Sequence, residues 1–448
     1  MTMWLPDLVS GTPAYLAIVE EIARGIREGG LQAGERLPTH RLLADLLGLN
    51  VSTVTRAYRE AARRGLVSGE TGRGTYVLAR ASEASLFARE RTHARELIDL
   101  SVNTPTLELR DADLLRSIQA LSRGEAAATL HYPGSGDWQV HRAVAATWLR
   151  RRGVQVEPSD LVVCAGAQHA LEVALSLFDG GGRIVTEALT YPGMKALARQ
   201  RRLRLQPVAM DGEGVLPDAF EAALRASPGR LAILSPTLHN PTTATMSLAR
   251  REAIVAIARK CNALIFEEDV YGPLAADGIP ALAALAPERV CYLGGLSKSV
   301  SPGLRIGYLV LPPGLRSRLT DAGHRTSWFV SSLSLMLATR WLSDGTAEKR
   351  VARQRAELAG RFRITGDLLA GSQWTGRPDC PHVWMQPRTR DSAGFVSRAL
   401  AAGVAVVGDS AFSAGRGCGV RGVRISIGAA PNRERLRQGL ETLAELDR

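Results

Sequence analysis

Lys298 lies in a segment of mostly small residues, GLSKSVSPGLRIGY at positions 295–308. An isolated lysine is usually a surface cation, but small neighbours beside a predicted strand are an unusual setting for a freely solvated ammonium group. A lysine amine becomes nucleophilic when it is desolvated or lies near another cation, and Arg305 follows seven residues later. The segment therefore indicates covalent chemistry at the amine of Lys298.

Three further polar runs follow predicted strands. Gly-Ala-Gln at 166–168 opens a helix, so its backbone N–H groups could hold a phosphate, although glycines there are often only turns. Asn-Pro-Thr at 240–242 is typical of a loop, and Glu-Glu-Asp at 267–269 is either an acid at a cleft or a solvated strand end. Ligands of parallel sheets bind beyond the carboxyl ends of the strands, so these runs are candidates for one site.

The elements that must position these residues follow from hydrophobic patterning. Short β-branched runs alternate with amphipathic segments, which predicts a mostly parallel α/β sheet covered on both faces. Strands are predicted at 161–164, 183–186, 203–207, 231–235, 263–267 and 290–293, and helices at 168–178, 194–201 and 250–260. A chain of 448 residues is too long for one ordinary core, so two or three domains are expected.

The first eighty residues have a different organisation. Apolar spacing predicts helices at 15–26, 42–47 and 53–64, the second capped by Thr39 and the third by Asn50 or Ser52. Two extended runs, 66–68 and 75–78, flank a glycine-rich turn that carries Arg73. This layout predicts a helix-turn-helix followed by a wing.

The polar face of the third helix suits the major groove of DNA. The formal net charge is +12, and the basic excess in this part falls on residues 36–80, whereas residues 1–35 are net acidic. A solvated basic face, or a small helical adaptor, is the alternative interpretation. The residues predicted to contact DNA are Thr39, Arg41, Ser52, Thr53, Thr55, Arg56, Arg59 and Arg73.

Residues 12–79 resemble the winged helix-turn-helix of the GntR family of bacterial regulators. The resemblance includes Leu-Pro-x-x-Arg from Leu37 to Arg41, Thr-Val-x-Arg-Ala-Tyr from Thr53, and the wing Gly-x-Gly-Thr. Relatives often carry arginine at the start of the recognition helix, where this chain has Val51. The operator sequence of a relative therefore does not transfer to this chain.

Residues 98–448 resemble fold-type-I enzymes that use pyridoxal 5′-phosphate (PLP), the aspartate aminotransferase superfamily. The match to S-K-x-x-x-P-G-x-R-x-G-Y is specific, and it implies that Lys298 forms an aldimine with PLP. It also implies that Asp269 pairs with the pyridine nitrogen, and that Tyr271 and Asn240 bind the phenolic oxygen. The remaining implied cofactor ligands are Tyr191 on the ring face, Gly166, Ala167, Gln168, Ser297 and Arg305 around the phosphate, and Tyr132 on the phosphate of the neighbouring subunit.

Two more positions follow from this resemblance. Arg424 matches the arginine that binds the α-carboxylate of the substrate. Gly295 stands where many relatives have a hydroxyl ligand of the phosphate, which removes one hydrogen bond worth about 1–3 kcal/mol.

A GntR-like unit joined to an aminotransferase-like domain is the layout of the MocR subfamily of transcriptional regulators. The resemblance implies a PLP-dependent homodimer that binds operator DNA and senses an amino acid, another amine or PLP itself. The alternatives are an active PLP-dependent aminotransferase with an appended DNA-binding domain, and a purely structural use of the fold. The last would require loss of Lys298 or Asp269, and both are present.

The predicted boundaries are a DNA-binding domain at 1–79, a linker at 80–97 and a PLP-binding domain at 98–448. Within the last, the large part is expected at about 141–330 and the small part at about 99–140 and 331–448. Five scattered cysteines argue against disulfides and a zinc site, and no membrane-spanning or signal segment is evident. These features predict a bacterial cytoplasmic protein, associated with the nucleoid when it binds DNA.

Overall fold

The computed structural model describes residues 4–6, 13–28, 31, 35–64, 66–70, 74–78, 97–106, 111–124, 126–178, 182–319, 330–415 and 419–448. The chain separates into two units, Met1–Arg95 and Glu96–Arg448. Apart from Leu97, the predicted linker lies outside the described residues. In the part of the chain that is described, no helix is long and apolar enough to cross a membrane.

The described part of the first unit contains three helices and a two-stranded antiparallel hairpin. Its elements are α1 Ala14–Glu28, α2 His40–Leu47, α3 Val51–Arg63, β1 Val67–Glu70 and β2 Gly74–Val77. Their apolar faces meet in one core that includes Ile18, Leu43 and Val54, all fully buried. The structure therefore has the predicted helix-turn-helix and wing strands, while Arg73 lies outside the described residues.

Local capping explains where these helices begin and end. The hydroxyl of Thr39 accepts the N–H of Leu42 at 3.3 Å, as predicted for the cap of α2. Gly48 ends α2 with φ 64°, a conformation that favours glycine. Asn50 occupies the cap position of α3 without a side-chain capping bond, so this helix begins at Val51, two residues before its predicted start.

The second unit combines a large α/β layer with a smaller layer. Its helices are α4 Ala112–Gly124, α5 Ser135–Leu149, α6 Ala167–Leu175, α7 Pro192–Gln200, α8 Pro217–Ala226, α9 Leu248–Lys260, α10 Leu282–Leu285, α11 Ser332–Ser343, α12 Thr346–Leu368, α13 Ser392–Ala401 and α14 Arg433–Leu446. Its strands are β3 Ile98–Asp99, β4 Leu161–Cys164, β5 Gly182–Glu187, β6 Leu203–Val208, β7 Met210–Asp211, β8 Gly214–Val215, β9 Leu231–Leu234, β10 Leu264–Glu268, β11 Val290–Gly295, β12 Gly307–Val310, β13 Gln373–Thr375, β14 Val383–Gln386, β15 Val404–Ala405, β16 Val407–Gly408 and β17 Val423–Ile425.

The large layer is a sheet whose strands run in the order β4-β12-β11-β10-β9-β5-β6 among the described residues. β12 is antiparallel to both of its neighbours, and the other pairs are parallel. Separate hydrophobic clusters pack helices against the sheet. This confirms the predicted fold class, a mostly parallel sheet between helices.

The smaller layer contains the antiparallel order β13-β14-β17-β16. β3 pairs in parallel with β15, so the segment that enters this unit joins elements from its C-terminal end. Leu100 and Ile425 are fully buried in the core of this layer. Residues on either side of β3 are thereby fixed beside residues more than 300 positions later in the chain.

Candidate cofactor site and DNA-binding surface

Lys298 lies three residues after the end of β11 and is half-buried. Its Nζ donates a hydrogen bond to the backbone oxygen of Asn103 at 2.7 Å. Burial, together with the positive charges of Arg424 and Arg305, lowers the pKa of Lys298 to about 8, against the opposing effect of Glu268. The uncharged fraction of the amine near neutral pH is therefore larger than that of an ordinary lysine, which favours a nucleophilic role.

Asn103 links Lys298 to a second group of buried side chains. Its Nδ2 donates to the hydroxyl oxygen of Tyr271 at 2.8 Å, and its Oδ1 accepts from the hydroxyl of Ser426 at 2.6 Å. His382 Nδ1 lies 2.9 Å from the same Nδ2. The sequence analysis missed Asn103, because no motif surrounds it and only the folded chain brings it to Lys298.

Arg424 and Asn240 form one side of the cluster. Arg424 Nη1 donates to Asn240 Oδ1 at 2.7 Å, Nη2 donates to the backbone oxygen of Ser101, and the guanidinium lies 5.0 Å from the ring centre of Phe412. Burial lowers the pKa of Arg424 to about 10, and its buried Nε has no hydrogen-bond partner among the described residues. A buried guanidinium with an unused donor is suited to an incoming carboxylate.

Gly166 and Arg305 lie together at the N-terminus of α6. Gly166 precedes α6 with φ 92°, and a Cβ there would come within 2.6 Å of Nη2 of Arg305. Arg305 donates to the backbone oxygen of Ala165 at 3.3 Å and to Oγ of Ser297 at 3.4 Å. The absence of a side chain at Gly166 thus lets a guanidinium lie beside a helix N-terminus, a combination that favours a phosphate group.

Gln168 and Tyr191 are connected directly. The Tyr191 hydroxyl donates to Oε1 of Gln168 at 2.5 Å, while Nε2 of Gln168 donates to the backbone oxygen of Gly193 at 3.0 Å. Burial raises the pKa of Tyr191 above its ordinary value, so its hydroxyl stays protonated. The side chain is half-buried and held at the start of α7, where its ring can form a wall of the site.

Asp269 lies in a buried ion pair, and its implied role towards the pyridine nitrogen stays a prediction. Arg152 donates to both of its oxygens, from Nε at 2.8 Å and from Nη2 at 3.2 Å, and the Tyr292 hydroxyl donates at 3.0 Å. The preceding residue, Glu268, accepts from Oγ of Ser235 at 3.1 Å, and its charge acts on Lys298. The physical reason is strand alternation, which turns successive side chains of β10 to opposite faces of the sheet.

Tyr132 and Gly295 also received specific roles in the sequence analysis. Tyr132 is 79% exposed, in contrast with the half-buried or buried members of the Lys298 cluster. A Cβ at Gly295 would lie 3.0 Å from the backbone oxygen of Ile306, because β11 and β12 pair closely at this point. The role of Tyr132 on a neighbouring subunit stays a prediction.

The polar face of α3 is the candidate DNA-binding surface. Ser52, Arg56 and Arg59 are exposed, whereas Thr53 and Thr55 are half-buried. Thr55 Oγ1 lies 3.1 Å from Nδ1 of His40, and the guanidinium of Arg56 stacks 3.9 Å over the ring of Tyr15.

The two remaining described DNA candidates lie at the start of α2. The hydroxyl of Thr39 is used in capping, and Arg41 is exposed. The structure thus brings these residues to one small unit, and their contacts with DNA stay predictions.

Together, these features define a class of protein in which a winged helix-turn-helix accompanies an α/β domain with a half-buried lysine of lowered pKa. Residues 95–443 match the family described as aminotransferase class I and II, and residues 14–77 match the bacterial regulatory proteins of the gntR family.

Named relatives have the same combination. The chain is 29% identical over 446 residues to the HTH-type transcriptional regulator YdeF of Bacillus subtilis, covering 99% of this chain and 96% of YdeF. It is 28% identical over 379 residues to the HTH-type pyridoxine biosynthesis transcriptional regulator PdxR of Corynebacterium glutamicum, covering 83% and 80%.

Solved structures support the fold of the second unit. LysN, the α-aminoadipate aminotransferase of Thermus thermophilus, is 26% identical with a TM-score of 0.71, over 79% of this chain and 92% of LysN. That structure was solved in complex with N-(5′-phosphopyridoxyl)-L-leucine. The chain belongs to the class I and II aminotransferase family, and it is a GntR-type regulator with an aminotransferase-like domain. This confirms the expected MocR-type layout.

Proposed function

We propose that this regulator holds PLP on Lys298 and senses an amino compound, or PLP itself, to control its binding to operator DNA. The observation that carries the proposal is the buried Lys298 amine, with its lowered pKa, in one cluster with donors suited to a phosphate and a carboxylate. A soluble-ligand sensor next to a DNA-binding unit explains why both occur in one chain. The proposal places the protein in the bacterial cytoplasm.

The residues present fit PLP. Arg305 beside the N-terminus of α6 suits its phosphate, with Ala167 and Gln168 in the first turn of that helix. Tyr271 and Asn240 carry a hydroxyl and an amide that suit the phenolic oxygen, and Tyr191 offers a ring face. When bound, PLP supplies an aldehyde that an amine can hold covalently and a ring that withdraws electrons.

Each protein group then has a defined task. The uncharged amine of Lys298 holds the cofactor, and Asn103 orients that amine through its backbone oxygen. Tyr271, whose hydroxyl stays protonated because burial raises its pKa, can donate a hydrogen bond into the site. Arg424 would receive the carboxylate of an amino-acid effector through its unpaired Nε.

Signalling follows from linkage between the two binding events. An effector whose carboxylate binds Arg424 would change contacts between the small and large parts of the second unit. It alters DNA affinity only if it binds one arrangement of the protein better than the other. In a homodimer, such a change would alter the spacing of two DNA-binding units on an operator.

An active aminotransferase is the second candidate, because Lys298, Tyr271 and Arg424 would also suit transamination with bound PLP. The two candidates differ in turnover. A regulator is expected to convert amino-acid and keto-acid pairs slowly or not at all. Sustained conversion of a natural pair by the full chain would favour the enzyme.

Borohydride reduction tests the central claim. The purified protein should be yellow, and reduction should fix one PLP on the peptide that contains Lys298, located by mass spectrometry. The chain has four lysines, so Lys195, Lys260 and Lys349 serve as internal controls. Lys298→Ala should abolish the adduct, while Lys260→Ala should retain it; an adduct that survives in Lys298→Ala overturns the assignment.

A further inference from the structure

Three consecutive acids, Glu267, Glu268 and Asp269, lie at the carboxyl end of β10. Successive residues of a strand point to opposite faces, so Glu267 shares a face with Asp269 and not with Glu268. Glu267 follows this rule, since it accepts the N–H groups of Leu282 and Ala283 at 2.8 Å each, away from Lys298. The three acids therefore serve two different sides of the sheet.

Asp269 is committed to the interior. Both of its oxygens accept from Arg152, one of them also accepts from Tyr292, and the side chain is fully buried. Arg152 is itself only 5% exposed. Turning Asp269 towards a ligand would leave a buried guanidinium without its counter-charge, which is strongly unfavourable.

Glu268 faces the other side. Its Oε2 accepts from Ser235, while the charge of its carboxylate acts on three members of the cluster, Lys298, Tyr191 and Tyr271. Its side chain is half-buried, whereas Glu267 and Asp269 are both fully buried. Glu268 is thus the acid of the three that lies in the environment of Lys298.

We propose that Glu268, and not Asp269, is the carboxylate that pairs with the ring nitrogen of PLP. This inference rests on the proposed function, because it requires PLP on Lys298. The ion pair of Asp269 with Arg152 instead has a structural role on the opposite face of the sheet. The side chain of a glutamate has one methylene more than that of an aspartate, so the carboxylate of Glu268 has the longer reach from the backbone.

Electrostatics agrees with this assignment. Burial raises the pKa of Glu268 to about 7. A protonated ring nitrogen beside it would stabilise the carboxylate form, and the carboxylate would in turn keep the nitrogen protonated. Each group therefore stabilises the charged form of the other in a site that is partly shielded from water.

The test uses the full-length protein loaded with PLP that is ¹⁵N-labelled at the ring nitrogen. The ¹⁵N chemical shift reports protonation of that nitrogen directly, and equilibrium titration gives the PLP dissociation constant. Glu268→Gln should move the shift to the deprotonated range and weaken PLP binding about tenfold to a hundredfold, the loss of one charge-assisted hydrogen bond. Glu268→Asp should restore a protonated nitrogen in part.

Variants of Asp269 provide the matched comparison. Asp269→Asn and Tyr292→Phe should lower thermal stability but leave the ¹⁵N shift of bound PLP unchanged. Tyr292→Phe keeps the Arg152 ion pair, so it remains informative if Asp269→Asn does not fold. A Glu268→Gln protein with the wild-type ¹⁵N shift would overturn this inference but not the proposed function. A deprotonated ring nitrogen in Tyr292→Phe, which keeps Glu268, would have the same meaning. Failure of the wild-type protein to take up PLP would overturn the proposed function as well.

Discussion

At the scale of single residues, the chemistry of this protein depends on a lysine held among other charges. Lys298 has the cations Arg424 and Arg305 in its surroundings and one acid, Glu268. The two cations and the burial outweigh the acid, so the pKa of the amine lies below its ordinary value. The amine can then react near neutral pH, where an ordinary lysine is almost fully protonated.

This environment predicts the pH dependence of cofactor uptake. Below about pH 8 the amine of Lys298 is mainly protonated and must lose that proton before it bonds to PLP. The uptake rate should therefore rise about tenfold per pH unit below this value and level off above it. Stopped-flow absorbance of the cofactor-free protein mixed with PLP measures the rate.

A free amine is the control for the ionisation of PLP itself. N-acetyl-lysine, with an ordinary pKa of 10.5, should react faster with rising pH through the whole range from 6 to 10. A protein profile that follows N-acetyl-lysine would show that Lys298 titrates normally, contrary to the prediction.

At the scale of elements, strand β10 and helix α3 determine which way the side chains of the two candidate sites point. Strand β10 separates Glu268 from its acidic neighbours by alternation, and α3 separates an apolar face from a polar one by helical periodicity. On α3, Val54, Ala57 and Tyr58 are buried, whereas Arg59 is exposed to solvent. The same helix also carries Arg63, which pairs with Glu60 through two hydrogen bonds of 2.8 Å.

The two arginines of α3 predict different effects on DNA binding. Arg59→Ala should weaken binding to DNA from the upstream region of this protein's own coding sequence by about 1–3 kcal/mol. If Arg59 contacts a phosphate, the slope of log affinity against log salt concentration should fall in magnitude by about one in Arg59→Ala. Arg63→Ala should change affinity much less, because its charge is already paired with Glu60.

Fluorescence anisotropy at several salt concentrations measures both quantities. Random DNA of the same length is the reference for sequence-independent binding. Equal affinity for both DNAs at physiological salt, or an Arg59→Ala protein indistinguishable from wild type, contradicts a base-reading role for this helix.

At the scale of the whole molecule, the second unit carries an unusual number of exposed apolar side chains in one segment. Large exposed apolar surface commonly marks an interface. Within residues 112–140 these side chains are Leu115 at 56%, Ile118 at 47%, Leu130 at 88%, Tyr132 at 79% and Val140 at 57%. This segment is where we expect the second copy of a homodimer to pack.

A charge in this segment should separate the copies. Wild-type protein should sediment at twice the chain mass of 48.1 kDa, and Leu130→Asp should shift it towards the single chain. Leu400→Asp is the matched control, since Leu400 is 42% exposed on α13, outside the segment. A Leu130→Asp protein that remains dimeric, or a wild type that is monomeric, would contradict this placement of the interface.

Hydrophobic periodicity predicted the three helices and the wing strands described in the first unit, and six strands of the large sheet whose predicted bounds lie within two residues of the observed ones. The reason is that period and burial are properties of short segments. Periodicity did not predict β12 or the strands of the smaller layer. Motif spacing also singled out Lys298, Tyr271 and Arg424, because the order of such motifs along the chain is itself specific, and the roles of these residues stay predictions. The winged helix-turn-helix was predicted for the same reasons.

The sequence by itself therefore determined the fold class and the union of a DNA-binding unit with an aminotransferase-like domain. Only the tertiary structure decided which of three adjacent acids faces Lys298, because a shift of one residue along a strand reverses the face of the sheet. It also brought Asn103 to Lys298 across 195 residues of chain. Neither relation is encoded in local spacing, since each depends on which elements pack together once the chain has folded.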